Sequence, residues 1–539
     1  MNAKAAGGRI LGALAVLAVT GAVVATGTRL GPVPLPSVTA SAVAVPPAPT
    51  TAVCPGPLQQ VESSGTASFS STPVAPVIST AVLALPAAGG ALAGTVQPLS
   101  GTAALASLTA AAGTATVAGP TGPVVAQIQG GGGPPRLAGT TSVLVTDGDL
   151  RGLATAACQA PATDAWLVGG STAVGSTADL VLVNPGDTTA EVAVQVWGPS
   201  GTIALPQSAA LVAPHATTVL ELGGLAPDQR SLVVHVTATG AQIAAWLQDS
   251  ALRGYTPDGV ALVAPGAAPA TRQTIPGVDV EASTGDSPDQ PVLRLLAPGT
   301  DAASGAAAAD GAVASGAGTV PATITLVGAD GPVDLAGAGI VPLTAGEVAD
   351  VPLGGLPAGA YTVVIDSPVP VVAALEFTRI GQAGALDPTA RVDRTWAAAT
   401  VPGGGLAVPA PGADTTLVVG AVAAGDQANA TGELTGTLRL LGAGGAVLGT
   451  RNVAIDAGST GVWPLSDLVS DPSQVTGVEL LPGSGGSGAA GSGAVTASWA
   501  LIAQHTQADG VLFGVVLPAP VTTDRGVVVV REDPALGIG

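Results

Sequence analysis

Lysine is almost missing from this 539-residue chain: Lys4 is the only one. That excludes Schiff-base chemistry and lysine-dependent phosphate loops from everything beyond the N-terminus. Charge of either sign is scarce, at 10 % of residues, and it leans acidic, with 36 Asp and Glu against 16 Lys and Arg. A net charge of −20 repels phosphate backbones and anionic lipid headgroups alike, which sets nucleic acid aside as a partner. Aromatic residues make up only 2 %, which leaves little for a stacking face once a core is served. After Thr28 no 3.6-residue period is sustained, so amphipathic helices are not the building element.

Glycine and proline are plentiful instead, 77 and 46 residues, the mark of a chain with many turns. Ile10 to Thr28 form a 19-residue uncharged run, flanked on its inner side by Lys4 and Arg9. As a helix it just spans a bilayer core of about 30 Å. The positive flank predicts a cytoplasmic N-terminus over residues 1–9, a transmembrane anchor over 10–28 and everything after Arg29 outside. A cleaved signal sequence is the other reading, with "SVTASA" (Ser37 to Ala42) as its cleavage site. The expected location is the cell membrane, single-pass, with the C-terminal bulk extracellular, or secreted if the segment is cleaved. Residues 29–53, dense in Pro and Ala, read as a stiff spacer. Only two cysteines occur, Cys54 and Cys158, and an isolated pair in an exported chain is most simply a disulfide.

Three glycine bends recur, "QVWGPSG" (Gln195 to Gly201), "TLVGADG" (Thr325 to Gly331) and "RLLGAGG" (Arg439 to Gly445). A ligand loop is normally used once, so the repetition reads as hairpin turns in which Gly supplies positive φ. Behind the bends "APHATTVLELGGL", "TAGEVADVPLGGL" and "DAGSTGVWPLSDL" align without a gap from Ala213, Thr344 and Asp456. Downstream, alternating runs lead into "QIAAWL", "PVVAAL" and "VTASWAL", which places Trp246 opposite Leu375 and Trp499. At the module openings "DAWLVGG" around Trp166 resembles "RTWAAAT" around Trp396.

Short Val, Leu and Thr runs at 8–12-residue spacing, broken by Gly and Pro, predict an all-β chain. The expected fold is tandem immunoglobulin-like antiparallel β-sandwich modules behind one N-terminal transmembrane helix. Modules are expected over 161–270, 271–390 and 391–539, the last with extra C-terminal strands. Residues 54–160 read as β-rich without aligning to the other three, with "GDLRGLATAAC" as their last strand.

No candidate chemistry outweighs its plainer reading. "STGDSP" (Ser283 to Pro288) contains Gly-Asp-Ser but lies in a polar linker with no His nearby. Asp147 and Asp149 in "TDGDL" lack further acidic ligands for calcium, and a turn is favoured. His235 alternates with Leu232, Val234 and Val236 and is expected on the surface, as is His215 in a turn. The tryptophans interchange with aliphatics between modules, which marks core positions. No catalytic, metal or cofactor-binding residue is assigned, and no cofactor is expected.

The string "CQAPATDAWLVGGSTAVGSTADLVLVNPGD", with the N-terminal apolar run and the "VCPGP" around Cys54, resembles an actinobacterial family of secreted or membrane-anchored proteins catalogued as a domain of unknown function. The resemblance implies export and the Cys54–Cys158 pairing, and transfers nothing catalytic. With a repeated architecture and no converging polar constellation, the expected role is non-enzymatic: a membrane-tethered rod of sandwiches acting as a structural or interaction scaffold of the cell envelope. Its expected partners are the membrane, through the N-terminal helix, and an envelope protein or polysaccharide. Binding of cell-wall polysaccharide, or help in its assembly, is the alternative, and a hydrolase comes third.

Overall fold

The computed structural model describes residues 18–19, 41–44, 49–60, 72–86, 92–101, 103–109, 113–130, 135–299, 319–333, 335, 337–384, 388–424, 431–483, 494–520 and 527–530. The expected anchor at 10–28 lies outside them apart from Ala18 and Val19. Among the described residues no helix is long and apolar enough to cross a membrane. The chain divides into two units, Met1–Pro46 with Arg525–Gly539, and Pro47–Asp524. In the smaller unit β1 (Ser41–Ala44) pairs antiparallel with β36 (Val527–Val530), Ser41 opposite Val530.

The larger unit is built from antiparallel strands in four consecutive sandwiches. The first contains β2 (Thr50–Cys54), β3 (Val77–Leu85), β4 (Leu92–Pro98), β5 (Ala106–Leu108), β6 (Gly113–Ala118), β7 (Val124–Gly130), β8 (Arg136–Val145) and β9 (Gly152–Ala157). The second contains β10 (Asp164–Val168), β11 (Ser176–Asn184), β12 (Ala190–Gly198), β13 (Gly201–Ile203), β14 (Ala209–Val212), β15 (Ala216–Glu221), β16 (Val233–Thr239), β17 (Ala244–Arg253) and β18 (Thr256–Val263). The third contains β19 (Ala270–Val280), β20 (Val292–Leu296), β21 (Thr319–Gly328), β22 (Gly331–Val333), β23 (Ile340–Thr344), β24 (Val348–Pro352), the long β25 (Gly359–Ala383) and β26 (Ala390–Ala398). The fourth contains β27 (Gly405–Ala407), β28 (Asp414–Ala423), β29 (Glu433–Leu441), β30 (Val447–Asp456), β31 (Thr460–Pro464), β32 (Gly477–Pro482), β33 (Val495–Gln507), β34 (Gly510–Val516) and β35 (Ala519–Pro520).

One pairing plan repeats. In the second sandwich the sheets run β10-β16-β12-β13 and β15-β11-β17-β18; in the first they run β2-β7-β4-β5 and β6-β3-β8-β9. Residues 54–160 thus belong to a fourth copy of the module. In the third sandwich the strands equivalent to β16 and β17 fuse into β25, which serves both sheets. Pairing of β11 with β15 and of β12 with β16 follows the immunoglobulin order, but β10 and β17 have exchanged sheets relative to it. The bends behave as turns: Gly198 pairs with Gly201 and Gly328 with Gly331, and Gly201 has φ +111°. Cys54 and Cys158 are joined in a disulfide that ties the end of β2 to the residue after β9.

Alternation explains the outer strands, and its loss explains the inner ones. β12 alternates buried and exposed residues along most of its length, one face on its core. β18 is buried throughout and β17 over its first eight residues, because both faces of their sheet are covered. The inner face of the sheet meets the core of its own sandwich, through Leu180, Leu182, Ala245 and Leu247. The outer face meets the preceding sandwich: Val181, Val183, Trp246 and Leu262 pack on Val53, Leu58, Val125 and Val143. The same outer face of the third sandwich, through Leu296, Val372, Ala374 and Trp396, joins the core of the second. Val422 of the fourth packs on Val327 and Val364 of the third. The row then closes, because Leu83, Leu85 and Ala138 of the first pack on Leu406, Val408 and Leu441 of the fourth.

The unit is therefore a head-to-tail ring of four, and the expected rod is corrected to a closed ring. Three local expectations change with it. Trp246 faces the junction while Leu375 and Trp499 face their own cores, so the aligned register is off by one residue. A slip of one position turns a strand residue to the opposite face. The strand at Trp396 is β26, which pairs with β25 and closes the third sandwich, so it does not open the fourth at 391. His235 does point away from the core, but it is buried, because Trp166 and Trp197 cover that face.

Candidate functional site

Four strands, one from each sandwich, β9, β18, β26 and β34, pack successively on one another around the ring. Their backbones come close enough that only glycine fits. A Cβ at Gly259, which also has φ +96°, would lie 2.6 Å from the backbone nitrogen of Arg394, and one at Gly514 would lie 3.0 Å from the Leu153 carbonyl oxygen. Into this axis the chain concentrates its few charges. Asp393 is 1 % exposed, and its Oδ2 accepts the backbone N–H of Phe513 at 2.8 Å and of Leu153 at 3.4 Å. Burial pushes its carboxyl up to about 7, against the amide hydrogen bonds and the pull of Arg151.

Around it Arg394 donates to Glu376 at 3.0 Å and pairs with Asp258. Burial opposes the Arg394 charge, but Glu376, Asp249 and Asp258 together hold it firmly protonated. Burial raises Asp258 more than its two arginine partners, Arg394 and Arg253, lower it. Asp509 bridges Arg151 at 3.0 Å and Arg391 at 2.8 Å; burial raises its carboxyl, and those hydrogen bonds outweigh burial to leave it lowered. The sandwiches contributing are the first (Arg151), second (Asp258), third (Glu376, Arg391, Asp393, Arg394) and fourth (Asp509). The network is a joint between modules, with its carboxylates occupied by arginines and amides.

Two clefts open at the junctions. One, of about 630 Å³ between the first and second sandwiches, is lined by Pro55, Leu99 and Pro123 on one side and His215, Val219 and Trp246 on the other. The other, of about 560 Å³ between the third and fourth, is lined by Asp279, Gly331 and Tyr361 facing Thr416, Val462 and Ile502. They are equivalent places in the repeat, since Val219 and Val462 occupy one aligned position and pair with Val181 and Val418. At the second–third junction that position is Asp350, paired with Arg294 and bonded to Ser231 across the junction. Arg294 binds Asp350 twice, at 2.8 and 3.0 Å, donates to the Gly170 carbonyl at 2.7 Å and lies 4.8 Å over the Trp396 ring. At the fourth–first junction Gly444 N–H reaches Thr114 Oγ1, the partner of Leu83 in the same rung.

The residues weighed from sequence scatter over this frame. His215 has φ +51°, is half exposed and bonds Asp187 at 2.9 Å; His235 bonds Asp164 at 2.8 Å and stacks 4.0 Å from Trp166. Ser287 bonds the backbone of Asp289 in a turn, and Asp147 lies 3.4 Å from Arg391. Five tryptophans are buried and Trp463 is half-buried. Among the described residues no group of three or more His, Cys, Asp or Glu is arranged to hold a metal. Sequence reasoning missed Asp393, Arg394 and Arg294. The signal was present: charges inside apolar strand runs, "VLRLLAP" and "RVDRTWAAA", in a chain with so few charges must be paired internally.

A family model described as "Family of unknown function (DUF5719)" matches residues 112–466, about two-thirds of the chain. No curated protein matches it. A solved structure titled "Biofilm associated protein - BSP domain" aligns over 88 % of this chain and 96 % of its own at 11 % identity, with a TM-score of 0.13, too low to carry an argument.

Proposed function

Since the chain belongs to this family of unknown function, we propose a role from its architecture: a non-enzymatic, exported scaffold of the cell envelope, tethered by residues 10–28 or secreted if they are cleaved. Its immunoglobulin-like sandwiches form a ring that presents two equivalent interaction clefts. The observation that carries the reading is how the charges are used. Arg151, Arg253, Arg294, Arg391 and Arg394 are all engaged in ion pairs within or between sandwiches, so the scarce cations serve architecture. Export is supported by the disulfide, a bond that persists in oxidising compartments. The uncharged apolar run near the N-terminus supports it further.

A second reading, binding of cell-wall polysaccharide, is favoured by the lining of the first cleft, where among the described residues His215 is the only ionisable one and Gln59, Thr121 and Gln248 lie beside the apolar Leu99 and Trp246. Crosslinking the full chain in its cells, followed by co-purification, tests both readings. The variants are Val219→Glu and Val462→Glu, which place a carboxylate in each cleft. Loss of specific protein partners in the variants supports the scaffold. Saturable glycan binding lost only in Val219→Glu supports the second reading. Turnover of an envelope substrate by purified protein, or partners unaffected by either variant, refutes the cleft assignment.

A further inference from the structure

We infer that Asp393 is a proton-linked keystone: as a neutral acid it locks the joint of the first, third and fourth sandwiches, and as a carboxylate it loosens that joint. The geometry makes one side chain serve three sandwiches. Asp393 belongs to β26 of the third, and its Oδ2 holds the amides of Leu153 in β9 of the first and Phe513 in β34 of the fourth. Its Oδ1 is sealed from solvent and has no hydrogen-bond partner. A buried carboxylate that leaves one oxygen bare keeps little of the solvation it would have in water.

The charged groups around it are committed elsewhere. From the first sandwich comes Arg151, whose Nε donates to Asp509 at 3.1 Å and whose Nη2 lies 3.0 Å from the same carboxylate; its pull on Asp393 does not outweigh burial. β9 itself carries no charge, nor does β34. From the second comes Asp258, an acid, held by Arg253 at 2.9 Å and by Arg394. Within the third, Arg394 turns to Asp258 and Glu376, Arg391 to Asp509 and Asp147, and Arg379 to Asp279 while lying 4.7 Å over the Phe513 ring. From the fourth comes Asp509, which these arginines already neutralise. The joint thus supplies backbone amides and no dedicated cation, and burial outweighs those amides, which favours the protonated acid.

The carboxyl is raised to about 7 in the fold by that burial, against about 3.9 for a free aspartate. A raised folded value means that the stabilising contribution is complete below the unfolded value and is lost as pH rises through about 7. Opening of this joint should accelerate about tenfold between pH 6 and pH 8, since each unit between the free and the folded values favours the open, ionised form by roughly a factor of ten and the gain levels off above about 7.

The test is amide hydrogen exchange of the full chain at pH 6, 7 and 8, corrected for intrinsic exchange. It follows peptides containing Leu153 and Phe513, with a β11 peptide as reference. Wild type should show the tenfold acceleration at both joint peptides, and Asp393→Asn, a fixed mimic of the neutral acid, should show none. Asp179 and Glu376 titrate in both proteins and cancel in the comparison. An Asn variant that keeps the wild-type pH dependence overturns the inference. Should that variant not fold, wild type decides alone: equal protection of the joint peptides at pH 6 and 8 overturns it, and a loss confined to them that levels off above about pH 7 upholds it.

Discussion

Trp246→Ala separates a junction residue from a core residue more sharply than any other change in the ring. The indole is 0 % exposed and packs between the first two sandwiches, in contact with a cluster that includes Val53, Leu58, Val125, Val143 and Val260. Truncating a buried Trp to Ala costs about 3–5 kcal/mol through lost transfer energy and the cavity left behind. One term runs the other way. The Trp246 Nε1 has no hydrogen-bond partner, and removing an orphaned buried donor returns about 1 kcal/mol or more. The expected net loss is therefore about 2–4 kcal/mol, and it should fall on the junction.

Urea denaturation measures the loss, and hydrogen exchange locates it. Protection should fall in β2 and β7 of the first sandwich, whose Val53 and Val125 pack in the same cluster as the indole. β12 and β16, on the far sheet of the second sandwich, should keep their protection. Leu247→Ala, one residue along the same strand and pointing inward, is the control. It should cost about 2–5 kcal/mol and expose the interior of the second sandwich. A Trp246→Ala loss below about 1 kcal/mol, or the opposite exchange pattern in the two variants, would refute the ring assignment of this strand.

Cys54→Ser removes a link across a sequence separation of 104 residues and should cost on the order of 4–5 kcal/mol in the chain-entropy model; two free thiols in the mature protein would contradict the bridge. Arg294→Ala leaves the buried Gly170 carbonyl without its guanidinium donor at the second–third junction, and an unsatisfied group of that kind costs about 1–3 kcal/mol, read by denaturant midpoint. Asp179 is buried directly opposite Glu221, and burial first, then that neighbour, raises its carboxyl to about 6. Because the folded value is raised, its charge destabilises above that pH, so Asp179→Asn should gain on the order of 2 kcal/mol at pH 8 and nothing near pH 3, by thermal melting at both. Deleting Ala302 to Ala317, between β20 and β21, should leave the melting temperature nearly unchanged, because closure entropy varies slowly with loop length.

The turns and the strand class were legible because glycine and alternation act locally. Gly198 and Gly201 form a hairpin whatever lies around them. The fourth copy escaped notice because its bend reads Pro98-Leu99-Ser100-Gly101, with Pro in place of the first Gly that marked the others. The register slip at Trp246 has a similar origin. In "QIAAWL" and "PVVAAL" small and branched apolar residues follow one another, so composition does not say which of two neighbours faces inward. That ambiguity was itself a sign. A sheet wet on one face alternates strictly, whereas "DLVLVN" and "TTLVVGAVA" are buried on both faces. What covered the second face was invisible from the strand alone, because it lies a whole module away in sequence.

Closure and the buried charges then explain each other. In an open row the first sandwich would expose Leu83, Leu85 and Ala138, and the last would expose Leu406, Val408 and Leu441, so each end would need a polar cap. In the ring the two ends cap one another, as heterologous contacts do when their rotation completes a turn. Apolar faces alone would not fix the order, since four similar sandwiches can dock in any sequence. The polar groups differ at every joint: Gln59 with Gln248, Arg294 with Asp350 and Gly170, Thr460 with Thr362, and Arg136 and Arg439 on Glu479. A buried ion pair adds little net stability but heavily penalises a partner that leaves it unmatched. Exchanging the second and fourth sandwiches would set the Arg294 guanidinium against a face without the Gly170 and Leu232 carbonyls, and would strip Arg136 from Glu479. Scarce charge placed at the joints thus selects one cyclic order out of several that apolar burial alone would tolerate.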